Sequence, residues 1–204
     1  MIGQAATPRM ILASASAARR AVLAAAGLVF DIEVAAIDEA AVKAGALAER
    51  MSALKTAIVL AELKAERVAR RAGDALVIGC DQLLVCDGVW FDKPGDVDEA
   101  RRHLQALRGR SHELVTAVVC LRGGERIWHH VARPRLTMRG FSDTLLEGYL
   151  AAEAMHVTQC VGAYRLEGPG VQLFDAVDGE HAAILGLPLL ALLGFLRQHG
   201  VLAS

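Results

Sequence analysis

Between Ala75 and Gly88 the chain reads ALVIGCDQLLVCDG, an apolar run broken once, at Asp81-Gln82, and closed by Asp87-Gly88. A run so rich in Val, Ile, Leu and Cys reads as a buried strand. The Asp-Gly pair supplies the backbone of a tight hairpin turn, after which the chain reaches Lys93-Pro94. A carboxylate inside such a run is costly unless it is paired, hydrogen-bonded or metal-bound. The segment therefore reads as strand, an active-looking point at Asp81, then strand and turn. Asp81 and Lys93 are not needed to make a hairpin, and chemistry is the other reason to place them there.

The neighbouring segments alternate between strand and helix patterns. RMILAS, residues 9–14, reads as a short buried strand, and SAARRAVLAAAG, residues 16–27, as a helix capped by Ser16 and ended by Gly27. FDIEVA alternates like a second strand. AIDEAA sets Asp38 beside Glu39 in a loop or helix start, and residues 45–71 are strongly helical. Residues 96–109 form another helix pattern, with Asp96 or Asp98 as its cap and Gly109 as its stop. HELVTAVVCLRGGERIWHHVARPRLTMRG reads as two or three antiparallel strands around Gly123-Gly124. A helix capped by Ser142 or Asp143, a strand in VQLFDAVDG and a Leu-rich terminal helix complete the chain. The order predicts an α/β protein with a mixed sheet, with a division near residue 110 or 140.

Composition narrows the class. The 204 residues are 54% hydrophobic and 22% charged, which argues against disorder. A net charge of −1 argues against a dedicated nucleic-acid binder, yet local Arg and Lys can still serve a small anion. The four cysteines form no CxxC pair and read as buried thiols in a reducing compartment. No secretory signal is evident. The apolar run 182–196 is broken by Gly186 and Pro188 and is short for a membrane span, so a cytoplasmic location is expected.

Two groups of residues can carry chemistry. LASASAARR is a strand, a Ser-rich corner and a helix start, where backbone N–H groups, Ser14, Ser16, Arg19 and Arg20 can hold phosphate oxygens. The bland alternative is a capped helix with arginines facing solvent. Asp81 can act as general base or, with Asp38 and Glu39, hold a divalent ion; hard oxygen ligands suit Mg²⁺ or Mn²⁺. Its bland alternative is a strand-end cap. Lys93 is a plausible phosphate contact fixed by Pro94; Lys64 is more ambiguous, and from the residues alone a surface helix is the better explanation of it. His129 and His130 face opposite sides of a strand, and no GxSxG, GxGxxG or Walker loop is present.

Taken in order, these segments resemble the Maf family of nucleoside triphosphate pyrophosphatases over almost the full chain. LASASAARR is similar to the family's opening pattern, with Ala17 at the usual proline position. AAIDE resembles its acidic segment, and LAELKA the helix that supplies a site lysine. GCDQLLVCDGVWFDKP resembles its Asp strand, Asp-Gly turn and Lys-Pro corner. The resemblance implies a single Maf-like domain, with an elongated two-lobed fold similar to inosine triphosphatases, a mixed twisted sheet and a central cleft. It implies hydrolysis of a nucleoside triphosphate to the monophosphate and pyrophosphate, with a divalent cation and a homodimer. Asp81 falls on the proton acceptor, Glu39 and Asp81 on the metal ligands, and Ser14, Ser16, Arg19, Arg20, Lys64 and Lys93 on phosphate-side positions.

Three further positions bear on the base in that family: Ala18, Gln82 and Glu167. Gln82 and Glu167 resemble the 7-methyl-GTP branch, where a carboxylate can accept from a guanine edge and suits a cationic purine. Ala18 departs from that branch by lacking the aromatic platform; QCVGAY lacks the lysine often found in the family just before its Ala-Gly-Ala/Ser segment, a departure that the methylguanine branch shares. The alternatives are a dTTP- and UTP-selective pyrophosphatase, or a non-catalytic nucleotide-binding regulator of septation.

Overall fold

Among the described residues, five helices begin where a short polar side chain takes over a backbone N–H that the first turn leaves without a partner. Ser16, Asp38, Ser52, Asp96 and Ser142 each accept from the residue three positions on. The computed structural model describes residues 3–203. In chain order the elements are β1 (Met10–Leu12), α1 (Ala17–Ala25), β2 (Asp31–Ile32), α2 (Glu39–Ala48), α3 (Ala53–Ala72), β3 (Leu76–Cys86) and β4 (Val89–Phe91). Then come α4 (Val97–Leu107), β5 (Ser111–Arg122), β6 (Glu125–Ala132), β7 (Arg135–Met138), α5 (Asp143–Glu153), β8 (Phe174–Asp178), α6 (His181–Ile184) and α7 (Leu189–Gln198). Two 3₁₀ turns, Val161–Ala163 and Pro169–Leu173, lie between α5 and β8.

The strands form one mixed sheet in the order β2-β1-β3-β5-β7-β8, with β4 on β3 and β6 on β5. β1 runs parallel to β2 and β3; the β3/β4, β5/β6, β5/β7 and β7/β8 pairs are antiparallel. Among the described residues no helix is long and apolar enough to cross a membrane.

Three segments differ from the sequence expectations. β3 does not break at Asp81 but runs through it as one strand of 11 residues. The helical stretch 45–71 is divided: α2 ends at Ala48, Arg50 adopts a positive φ of 54°, and Ser52 caps a new helix. FDIEVA yields only the two-residue β2.

The chain divides into two compact units. The first runs through Asp81, takes up Thr116–Ala132 and resumes at Glu180. Its core joins Met10, Leu12, Leu76, Ile78 and Cys80 of β1 and β3 to Leu23 of α1 and Leu192, Phe195 and Leu196 of α7. Side chains alternate along a strand, so Leu76, Ile78 and Cys80 share that face and Val77, Gly79 and Asp81 share the other. Helix α3 crosses the second face closely. A Cβ on Gly79 would collide with the Ala61 carbonyl oxygen and sit 2.8 Å from the Ala65 Cβ. Glycine at 79 is what lets α3 lie directly on β3.

The second unit comprises Gln82–Val115 and Arg133–Gly179. Leu83, Leu104, Leu107, Leu136, Leu146 and Leu150 are among its buried side chains. Arg101 on α4 forks onto Glu147 of α5, at 2.6 and 2.9 Å.

Candidate active site

The close approach of α3 to β3 decides where Lys64 goes. Ala61 and Ala65 rest on Gly79, and Lys64 comes from the same helical turn and meets Asp81 at the middle of β3. Lys64 is only 8% exposed, which overturns the surface-helix reading. Its Nζ donates to Asp81 Oδ1 at 2.6 Å and lies 2.8 Å from Glu39 Oε1. Glu39 is the first residue of α2, directly after the Asp38 cap, while the Asp38 carboxylate is spent on the Ala41 N–H.

Asp81 is 3% exposed, and its second oxygen, Oδ2, is buried without a hydrogen-bond partner among the described residues. Burial pushes its carboxyl above the usual carboxylate range, opposed by Lys64 and Arg19. A carboxylate with a raised affinity for protons and a free lone pair suits proton acceptance.

The Ser-rich corner lies in the same unit. Ser14 Oγ accepts from the Ser16 N–H at 3.2 Å and from Arg19 Nη1 at 3.1 Å, and Ser16 Oγ caps the Arg19 N–H. Arg19 also donates from Nε to the Gly186 carbonyl at 2.8 Å and from Nη1 to the Cys80 carbonyl at 3.1 Å. Its guanidinium therefore ties α1 to β3 and to the turn before α7. Ser14 is buried, Ala18 is half-buried and Arg20 is exposed on α1. The structure thus gathers Ser14, Arg19, Lys64, Glu39 and Asp81 in one unit, and leaves Arg20 facing solvent.

Gln82, Lys93 and Glu167 belong to the second unit. Gln82 is half-buried and faces away from the Asp81 side of β3. Lys93 and Glu167 are exposed. Both act on the Cys160 thiol, which burial pushes up, Glu167 raises further and Lys93 lowers. Sequence reasoning missed the fork between Arg165 and Glu153 that anchors the segment carrying Glu167, at 2.7 and 3.0 Å. It also missed Gly79, whose only signal was a glycine inside an apolar strand.

Among the described residues no three His, Cys, Asp or Glu side chains converge as a closed metal cage. The Glu39 and Asp81 carboxylates, one with a buried unpaired oxygen, are hard oxygen donors of the kind that would suit Mg²⁺ or Mn²⁺.

The family model for Maf-like proteins matches residues 9–199. The chain belongs to the Maf family. It is 56% identical to a nucleoside triphosphate pyrophosphatase of Granulibacter bethesdensis, over 95% of this chain and 98% of that protein. It is 52% identical to a protein of the same name from Rhodospirillum rubrum, over 97% and 98% of the two chains. A 7-methyl-GTP pyrophosphatase of Rhizobium meliloti is 45% identical over 96% of this chain and 98% of its own length. The mixed α/β sheet is consistent with the Maf fold.

Proposed function

We propose that this chain hydrolyses a nucleoside triphosphate between the α and β phosphates, releasing a nucleoside monophosphate and pyrophosphate. The observation that carries this reading is Asp81: buried on an unbroken strand, held by Lys64 through one oxygen and unpartnered at the other among the described residues. Asp81 accepts a proton from water as that water's oxygen bonds to the α phosphorus. The bond from phosphorus to the bridging oxygen breaks, and pyrophosphate leaves with the electron pair. Lys64 and Arg19 offset charge that grows on phosphoryl oxygens, where cations act most strongly in the transition state. The Ser14 and Ser16 hydroxyls and the first turn of α1 orient phosphate oxygens. Lys93 is the phosphate contact proposed for the second unit.

Glu39 and Asp81 would hold a divalent cation, Mg²⁺ or Mn²⁺, which supplies charge neutralisation when bound. Lys64 sits between those two carboxylates and would have to give way to such an ion, which would leave its ammonium available to phosphate. A cytoplasmic homodimer belongs to the same reading and rests on the family resemblance.

Among substrates we favour 7-methyl-GTP or another non-canonical nucleotide. Gln82 and Glu167 support this, together with the name of the Rhizobium meliloti relative. An exposed carboxylate at Glu167 suits the N–H donors and positive charge of a methylated guanine. The experiment is pyrophosphate release from 7-methyl-GTP, GTP, dTTP, UTP and CTP with Mg²⁺ or Mn²⁺, and with EDTA. Metal-dependent release led by 7-methyl-GTP is expected. Release led by dTTP and UTP would overturn the base assignment alone. No release from any nucleotide would favour a nucleotide-binding regulator.

A further inference from the structure

The segment that carries Glu167 is fastened at three successive residues. The Tyr149 hydroxyl donates to the Ala163 carbonyl at 3.0 Å, His112 Nε2 lies 2.7 Å from the Tyr164 hydroxyl, and Arg165 forks onto Glu153. Glu153 is 4% exposed and the Arg165 side chain 25%, so the fork is buried on its carboxylate side and reaches water on the other. Arg165 stands two residues before Glu167, and its Nη2 lies 3.1 Å from where a Cβ on Gly168 would sit. The guanidinium therefore runs beside the backbone that presents Glu167, and the Glu167 charge acts on it. One fork has two carboxylates in its neighbourhood. The buried one takes Nε and Nη2; the other is exposed.

We infer that Glu153 is a positioning residue for base selection: by engaging Arg165 it keeps the guanidinium off Glu167, whose carboxylate stays open to the N–H donors of a purine. The inference rests on the reading of Glu167 given under the proposed function. An Arg–carboxylate fork is planar and bidentate, so a guanidinium committed to Glu153 through two donors is not shared with a second carboxylate in the same geometry. Without Glu153, Arg165 would turn to the nearest anion. Glu167 would then meet the base as a neutralised ion pair.

The test uses the full chain as wild type, Glu153→Leu, Glu153→Leu/Arg165→Met and Glu167→Gln. Two quantities are read: the ratio of kcat/KM for 7-methyl-GTP over dTTP, and the titration of the Glu167 carboxyl by ¹³C NMR without nucleotide. In Glu153→Leu the ratio should fall roughly 10-fold, through KM, and the Glu167 titration should move to lower pH. The double variant should bring both back toward wild type, which a merely structural role for Glu153 would not do. An unchanged ratio in Glu167→Gln would overturn the base reading and this inference with it. A lowered ratio there, beside an unchanged ratio and titration in Glu153→Leu, would overturn the positioning role alone. So would a double variant as impaired as the single.

Discussion

Asp81 in the first unit and Glu153 in the second are both buried carboxylates held by a long cationic side chain, yet they are held in opposite ways. Arg165 takes both oxygens of Glu153 and holds that carboxyl below the usual range. Lys64 is a point charge and takes one oxygen of Asp81, dividing itself with Glu39. Burial carries Asp81 the other way, above the usual range. A closed pair has no oxygen without a hydrogen bond and serves to fix a loop. An open pair retains one and can accept a proton. The raised proton affinity of Asp81 comes from burial, and the oxygen left without a partner among the described residues is where a proton would go.

The largest test breaks the open pair. Asp81→Asn should lower kcat by roughly 10³-fold, the scale of a lost general base, while the far-ultraviolet circular dichroism stays that of wild type. A variant that turned over normally would remove Asp81 from the role of proton acceptor.

Removing the cations comes next. Lys64→Met leaves Asp81 and Glu39 facing each other, and Arg165→Met leaves Glu153 alone; each should cost about 4 kcal/mol in denaturant unfolding without metal. The two should then part. Added Mn²⁺ should recover much of the loss in Lys64→Met, because two carboxylates remain to hold it, and little in Arg165→Met. Equal recovery in both would mean that the pair at Lys64 is not a divalent-ion site.

These pairs also mark how far the sequence could be read. Caps were legible because the signal is local: Ser16, Asp96 and Ser142 each bond a backbone three residues on. Ser52 carries the same signal, but helical periodicity on both sides of it hid the break. Asp81 was legible as an anomaly and illegible as part of a continuous strand, because its counter-ion lies 17 residues earlier on another element. Lys64 was ambiguous for the same reason. Nothing in the local pattern of α3 says that a glycine on β3 draws that turn inward. Arg165 and Glu153, 12 residues apart across an irregular segment, gave no periodic signal at all.

His112 supplies a case between the two pairs. It is 1% exposed, with Nε2 on Tyr164 and Nδ1 buried without a partner among the described residues, but the ring is neutral. Burial pushes its pKa down from 6.5 to about 4. Between those values the unfolded chain binds the proton and the folded one does not, so stability is fully present above pH 6.5 and is lost as pH falls toward 4. The loss should be about 3 kcal/mol. His112→Phe should flatten this part of the unfolding free-energy curve relative to wild type. An unaltered slope would show that other groups drive it.

The smallest test sets two helix caps against each other. Ser16 Oγ accepts from the Arg19 N–H at 3.3 Å and Ser142 Oγ from the Leu145 N–H at 3.2 Å, so the two hydroxyls do the same local work in different units. Replacing either by alanine should cost about 1 kcal/mol of unfolding free energy. Only Ser16 stands at the corner where α1 follows β1, beside Ser14 and Arg19. Ser16→Ala should therefore also raise KM for the nucleotide several-fold, roughly the worth of one hydrogen bond to a charged group, while Ser142→Ala leaves KM as it was. If the two variants lost equal stability and neither changed KM, the Ser16 hydroxyl would be a cap and nothing more. Phosphate orientation would then rest on Ser14, the backbone of α1 and the cations.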